Sequence, residues 1–297
     1  MESNTERMRV VPLGERGAAS VPIIACIIVA LVALLLGVVG GIFAAPYIPK
    51  GRSTATLAGV TSVDESGLDA AMGTYTVKGD RRTVTVRDAI LETSTLDAAK
   101  NADGTYDVPS VDTVLSIARN DVLQADAEQR GLTATEEDAK QYAQKTLGTQ
   151  DFAEIAAGYS MSQEQVVQLM TRSALLDKLR DQVVTTAAVG EPAPPASAEA
   201  GKENEPQQQY ATYIIGLVGD EWDANANSWA RADGPYRQQL KDYTISNESA
   251  TYAAAQAAYY VAYSQYSKVQ QQVSTEWTDY VNTLLADVPV ELVSAVA

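Results

Sequence analysis

From residue 110 onward, apolar side chains recur every three or four positions, the period of helices with one buried face. Ser110 is a predicted N-cap, and Val111, Val114, Leu115, Ala118, Val122 and Ala125 share a face, giving a helix expected to stop at Gly131. Two segments that nearly rhyme follow, GLTATEEDA from Gly131 and GYSMSQEQV from Gly158. In each, a hydroxyl residue stands three positions before an acid or amide, as in a capping box: Thr133 with Glu136, and Ser160 with Gln163. The first predicts a helix with Ala139, Tyr142, Ala143 and Leu147 inward. A short segment with Phe152, Ile155 and Ala156 precedes the second. A long helix then turns Val166, Leu169, Met170, Leu176, Leu179 and Val183 inward. Its other face, with Arg172, Asp177, Lys178, Arg180 and Asp181, reads as a solvated surface of mixed charge.

Upstream, TYTVKGDRRTVTV (Thr74 to Val86) has two β-branched runs around Lys-Gly-Asp and predicts a hairpin. RDAILETSTLDAA after it reads as helical, and NADGTYDVPS as a loop. Downstream, residues 186–209 turn to Ala, Pro, Glu, Ser and Gln, too little apolar surface to offset ordering, and read as a flexible linker. Residues 210–297 are expected to be a helical segment that packs back on 73–185. It would contain a helix begun by Pro235 at its first position and a long one from Ser249 to Leu285. The expected class is mainly α, with one small hairpin.

The N-terminal part differs. Val21 to Ala45 carries no charge and is long enough to cross a bilayer of about 30 Å as a helix. Residues 1–20 then form a cytoplasmic tail, 21–45 a signal anchor, 46–72 a stalk, and the body lies outside the cytoplasm. Arg7, Arg9 and Arg16 before the run favour that orientation. A cleaved signal peptide is the alternative. Net charge is −16; the first 50 residues hold four basic and three acidic side chains, so the rest carries −17. Such a body repels phosphate backbones and speaks against a nucleic-acid partner. The chain has no histidine, and its one cysteine, Cys26, lies in the apolar run. Histidine-dependent triads, histidine metal sites and intrachain disulfides are thereby excluded.

Three patterns remain as candidate chemistry. The acids and hydroxyls of the first rhyming segment, Thr133, Thr135, Glu136, Glu137 and Asp138, resemble a site, but Gln163 and Gln165 stand in the second where Glu136 and Asp138 stand in the first. Capping survives that exchange, and charge-dependent chemistry does not. DANANS (Asp223 to Ser228) opens like a calcium loop, but Ser228 and Gly234 replace the glycine and the bidentate glutamate that such a loop needs. The third is aromatic. Tyr252, Tyr259, Tyr263 and Tyr266 fall on roughly one face of the last helix, either a closed seam or a groove for polypeptide, while Tyr260 projects elsewhere. Asn247-Glu248-Ser249 matches a glycosylation sequon and is read instead as a cap of that helix, through Asn247 or Ser249.

The order hairpin, VLSIARNDVLQADAEQRGLTATEEDAKQYAQ, short helix, GYSMSQEQVVQLMTRSALLDKLRDQVV resembles the N-terminal chaperone region of the SurA family, itself similar to PrsA and to the substrate-binding part of trigger factor. The resemblance covers about residues 70–185. It implies binding of unfolded or partly folded secreted polypeptides without ATP, metal or cofactor. The parvulin isomerase domain of many members has no room between Thr185 and Gln209, and its histidines are missing, so no catalytic activity is expected. The competing expectation is an envelope scaffold with one fixed partner.

Overall fold

The computed structural model describes Leu57 and residues 59–293. The apolar run 21–45, the tail before it and the first part of the expected stalk lie outside the described residues. Among those described, no helix is long and apolar enough to cross a membrane. The described chain is mainly helical, with three small sheets.

The second half of the expected stalk is folded, which corrects that boundary. Leu57, Leu68 and Met72 are buried, and β1 (Ser62–Val63) joins the first lobe. The apolar residues scattered through 57–72 are enough to hold this polar-looking stretch down. The predicted hairpin is present as β2 (Ala71–Val77) and β3 (Asp80–Thr85). Lys78 and Gly79 turn between them with φ of 52° and 87°, the left-handed pair of a type I′ turn. On β2, Gly73 lets the following helix approach closely, because a Cβ there would lie 2.8 Å from Val114 Cγ1.

The expected single helix after the hairpin is two short ones, α1 (Val86–Leu91) and α2 (Leu96–Ala99), each with its own threonine cap. β4 (Tyr106–Asp107) pairs with β1. Then come α3 (Val111–Gln129), capped by Ser110 as expected, α4 (Glu136–Leu147), α5 (Phe152–Tyr159) and α6 (Gln163–Val183). The caps of α4 and α6 each lie two residues beyond the expected ones. Thr135 forms a capping box with Asp138, and Ser162 with Gln165. Ser160, in the left-handed region at φ 56°, ends α5 instead of starting α6.

Residues 184–207 contain no helix or strand, then α7 (Gln208–Val218) begins. A two-residue pair, β5 (Trp222–Asp223) and β6 (Ser228–Trp229), precedes α8 (Pro235–Gln239), which has its proline at the first turn as expected. The 34-residue α9 (Tyr252–Leu285) is about 51 Å long by its rise per residue. Its cap is Thr251, not Asn247 or Ser249. β7 (Val290–Leu292) completes a sheet of order β3-β2-β7.

Packing divides these elements into two lobes joined by α9. In the first, the sheet covers α1 and the start of α3. α4, α5 and α6 form a helical layer, and Trp277 and Val281 of α9 dock against Leu123, Leu175, Leu176 and Leu179. In the second, α7, β5, α8 and the first turns of α9 bury Tyr210, Ile214, Trp222, Tyr236 and Leu240 against a row of α9 alanines. Among the described residues, the C-terminal segment thus returns to 73–185 through the later half of α9 and the stretch from there to β7, while residues 208–262 make a core of their own.

Candidate functional site

A helix repeats its direction at about 100° per residue, so Tyr252, Tyr259, Tyr263, Tyr266, Gln270, Val273, Trp277, Val281 and Leu284 share one stripe of α9. The ends of the stripe are closed. Tyr252 packs on Tyr210 at a centroid distance of 5.5 Å within the second lobe, and Trp277, Val281 and Leu284 lie against the first. No residue between Ala262 and Trp277 is buried, so the middle is open. Tyr263 and Tyr266 stand in it, and with Tyr259 at its edge they form a ladder of tilted ring pairs at 5.8 and 5.9 Å, which Tyr260 joins at 5.7 Å from Tyr259. Tyr260 is 64 % and Tyr263 41 % exposed.

Of the four tyrosines expected to line a groove, three therefore stand together, Tyr263 exposed and Tyr259 and Tyr266 half-buried. Tyr252 is withdrawn into a core seam, its hydroxyl accepting from the Gln256 amide at 3.0 Å. Tyr260, expected to point elsewhere, adds the most exposed ring. The difference arises because one helical face changes partners along its length: periodicity gives direction and not where the packing stops.

The stretch expected to be a flexible linker bounds this window as a strap. Glu276 on α9 accepts from the backbone amides and the hydroxyls of both Thr185 and Thr186, with amide distances of 2.6 and 3.1 Å. These bonds, the Thr186 hydroxyl foremost, hold its carboxyl down at about 2. At the other end, the Tyr213 hydroxyl donates to the Ala193 carbonyl at 2.7 Å, and Pro195 is buried. Burial raises the Tyr213 pKa, with nearby Tyr259 and Tyr236 adding to it. Residues 187–191 remain exposed, so the strap does not bury the tyrosines.

A second feature is an open cleft of about 580 Å³ in the first lobe, lined by Tyr75, Arg82, Thr83 and Val84 from the sheet, Asp88, Leu91 and Glu92 in and just after α1, Ile117 of α3 and Gln168 of α6. Asp88 is held by the Thr85 amide and hydroxyl, and the other charges are paired. Asp121 accepts from the Tyr75 hydroxyl and from Arg82, and Arg172 reaches Glu92 at 2.6 Å. Burial first, then Asp121, pushes the Tyr75 hydroxyl well above its ordinary range. Gln165 ties α6 to α1 through the Leu91 and Ser94 carbonyls at 2.8 and 2.9 Å. The face of α6 expected to be a solvated surface is thus largely interlocked: Asp177 also pairs with Lys145, and Lys178 with Asp138. Lys178 foremost, with the capping bonds, lowers the Asp138 pKa to about 2.

DANANS is a closed hairpin loop. Asp223 accepts from the Asn225 and Ala226 amides, and Asn247 clamps the loop from outside. Asn247 bonds Trp222 Nε1, the Ala224 carbonyl and the Asn227 side chain. No group of three or more potential metal ligands occurs among the described residues. The amide of the apparent sequon is therefore already engaged. No protein-family model, curated protein or solved structure matches the chain.

Proposed function

We propose that this chain is a membrane-anchored, extracytoplasmic chaperone-like protein that holds unfolded or partly folded secreted polypeptides, without ATP, metal or a catalytic step. The observation that carries the reading is the tyrosine ladder. Four neighbouring rings, two of them substantially exposed, stand in an open window between two lobes. Tyrosine offers a large apolar face with a polar edge, which suits reversible contact with varied apolar segments. A client seated on the ladder abuts the first lobe, because the same stripe continues into Trp277 and Val281. The acidic body keeps such a complex soluble and favours basic clients. The resemblance of residues 70–185 to the SurA chaperone region, and the apolar run 21–45 as anchor, complete the reading.

The test is suppression of aggregation of several unrelated denatured proteins by the full-length chain at near-stoichiometric ratios. Tyr260→Ser with Tyr263→Ser is expected to abolish suppression while leaving the circular dichroism spectrum unchanged. Absence of suppression by the unaltered chain, together with one stoichiometric partner, would replace this reading with a fixed envelope scaffold.

A further inference from the structure

The strap has a regular pattern where it meets the second lobe. Residues 187–199 form no helix, strand or turn, and their peptide bonds are trans with no positive φ. Within them, burial repeats every third residue. Pro195 is buried and Pro192 and Ala198 are half-buried, while Ala193, Pro194, Ala196 and Ser197 are exposed. A period of three is that of the polyproline II helix, and Pro192-Ala193-Pro194-Pro195 supplies the prolines that favour it. That conformation makes no hydrogen bonds of its own, so its carbonyls are free to accept from a partner. Here the Tyr213 hydroxyl donates to the Ala193 carbonyl at 2.7 Å, between the two inward prolines. The chain thus holds a P-x-x-P segment of its own, by its proline face and by a tyrosine hydroxyl.

The seat of that segment runs on into the tyrosine ladder. α7 and α9 start side by side, bridged between Gln207 and Ala250, with Tyr210 packed on Tyr252 in their first turns. About one turn further along α7, Tyr213 comes within electrostatic reach of Tyr259, the first ring of the ladder. From Tyr259 to Tyr266, α9 rises about 10.5 Å, against about 9.3 Å for one turn of polyproline II. Successive prolines of a P-x-x-P segment laid along the ladder therefore meet the rings at nearly their own spacing. Among the described residues, the hydroxyls of Tyr259, Tyr260, Tyr263 and Tyr266 make no hydrogen bond, so they offer the kind of donor that Tyr213 gives the strap.

We infer that the tyrosine ladder binds proline-rich segments of the P-x-x-P type in the polyproline II conformation. The prolines lie against the rings of Tyr259, Tyr263 and Tyr266, and carbonyls between them accept from the exposed Tyr260 and Tyr263 hydroxyls. The inference rests on the ladder being the client surface, and it names the class of client. An aromatic surface suits such a segment because the helix is already formed before binding, so little ordering entropy is lost. The strap is the resident example of this ligand, seated beside the first ring.

The experiment follows the fluorescence anisotropy of a labelled peptide repeating Pro-Ala-Pro-Pro-Ala-Ser as the full-length chain is added. A control peptide has valine at every proline, which makes it more apolar and removes the preference for polyproline II. The proline peptide should bind at least tenfold more tightly than the control. Tyr260→Phe with Tyr263→Phe keeps both rings, on exposed side chains, and removes two donors. This pair should cut the preference for the proline peptide at least fivefold with an unchanged dichroism spectrum. Tyr260→Ser with Tyr263→Ser removes the rings and should abolish binding of the proline peptide. The inference is overturned if the proline peptide fails to bind, if the valine peptide binds equally well, or if the phenylalanine pair shifts the preference less than twofold. It is equally overturned if Tyr213→Phe abolishes binding while both ladder variants bind normally, because the peptide would then be exchanging with the strap. The two readings fail separately. Suppression of aggregation without binding of the proline peptide sinks this inference and keeps the chaperone reading, and binding of the peptide without suppression does the reverse.

Discussion

Trp277→Ala should uncouple α9 from the first lobe and leave the second lobe standing. The indole is 8 % exposed, stacks on Tyr280 at 5.8 Å, and packs with Leu123, Leu175, Leu176 and Leu179. A tryptophan buries up to about 250 Å², so about 230 Å² here, worth about 6 kcal/mol at 25 cal/mol per Å² as an upper bound. Alanine keeps the Cβ and the site partly collapses, which brings the expected loss to about 4 kcal/mol, within the usual range for such truncations. That is a large fraction of the stability of an ordinary domain, about 5–15 kcal/mol. The remaining tryptophans, Trp222 and Trp229, lie in the second lobe, 5.4 Å apart, and so report on that lobe alone. In urea, far-ultraviolet dichroism of the variant should show an early transition that the fluorescence of Trp222 and Trp229 does not follow. A loss below about 1 kcal/mol would refute the packing argument. A fluorescence midpoint that moves together with the dichroism would refute the division into two lobes.

Three further outcomes follow from particular contacts. Gly234→Ala should destabilise the second lobe by about 2–3 kcal/mol, since a Cβ there overlaps the Glu221 carboxylate, 3 % exposed and bonded to the Arg237 amide, and displaces it from its donor; chemical denaturation followed at Trp222 measures this. Glu276 titrates near 2 in the folded chain against about 4.3 unfolded, so its hold on the strap is complete above about pH 5 and lost as pH falls towards 2. Amide shifts of Thr185 and Thr186 should titrate with that low midpoint, and a midpoint in the ordinary glutamate range would contradict the clamp. Tyr142 and Tyr280 are pushed up to about 12, chiefly by burial, against about 10 unfolded, so their stabilising effect is present below pH 10 and lost as pH rises towards 12. Ultraviolet titration should show these two ionising with unfolding, and their normal ionisation in a still-folded chain would contradict the burial.

Local signals were legible where one residue makes one local bond. Ser110, Pro235 and the Lys-Gly turn do what their types imply. The rhyming segments contain two overlapping capping boxes each, Thr133-Glu136 and Thr135-Asp138, Ser160-Gln163 and Ser162-Gln165. Nothing local chooses between them. The choice is made by the preceding helix end: Gly131 at φ 77° and the Leu132 amide bonded back to the Ala127 carbonyl use up the first residues after α3, and Ser160 is spent on closing α5. Burial on α3 was underestimated for a similar reason. Val114, Ala118 and Val122 meet the sheet as their spacing implies, but Leu123 and Ala127 face α6 and α9, partners more than forty residues away in the chain. The strap was illegible because its composition favours no structure, and what orders it is a carboxylate 90 residues downstream, Glu276, and a hydroxyl 20 residues on, Tyr213.

The tyrosines show where periodicity runs out as a guide to a site. Their common stripe on α9 was readable from spacings of three, four and seven. Whether such a stripe is core or groove depends on what stands opposite each residue, and α9 has different neighbours along its length. Ala254, Ala255, Ala258 and Ala262 let the second lobe approach closely, and Trp277 begins contact with the first. The fourteen residues between them cover about 21 Å of helix, a length set by chain that belongs to neither lobe. A helix exposed on all sides over that distance would gain nothing from apolar rings on the stripe, and glutamine or lysine would serve its solubility better. Gln265, Lys268, Gln271 and Gln272 occupy its other faces, while Tyr263, Tyr266 and Val273 persist on the stripe beside Gln270. Apolar area kept at the one place where neither lobe covers it marks a surface for another molecule, and this is why the ladder, rather than the acids of the rhyming segments, carries the functional proposal.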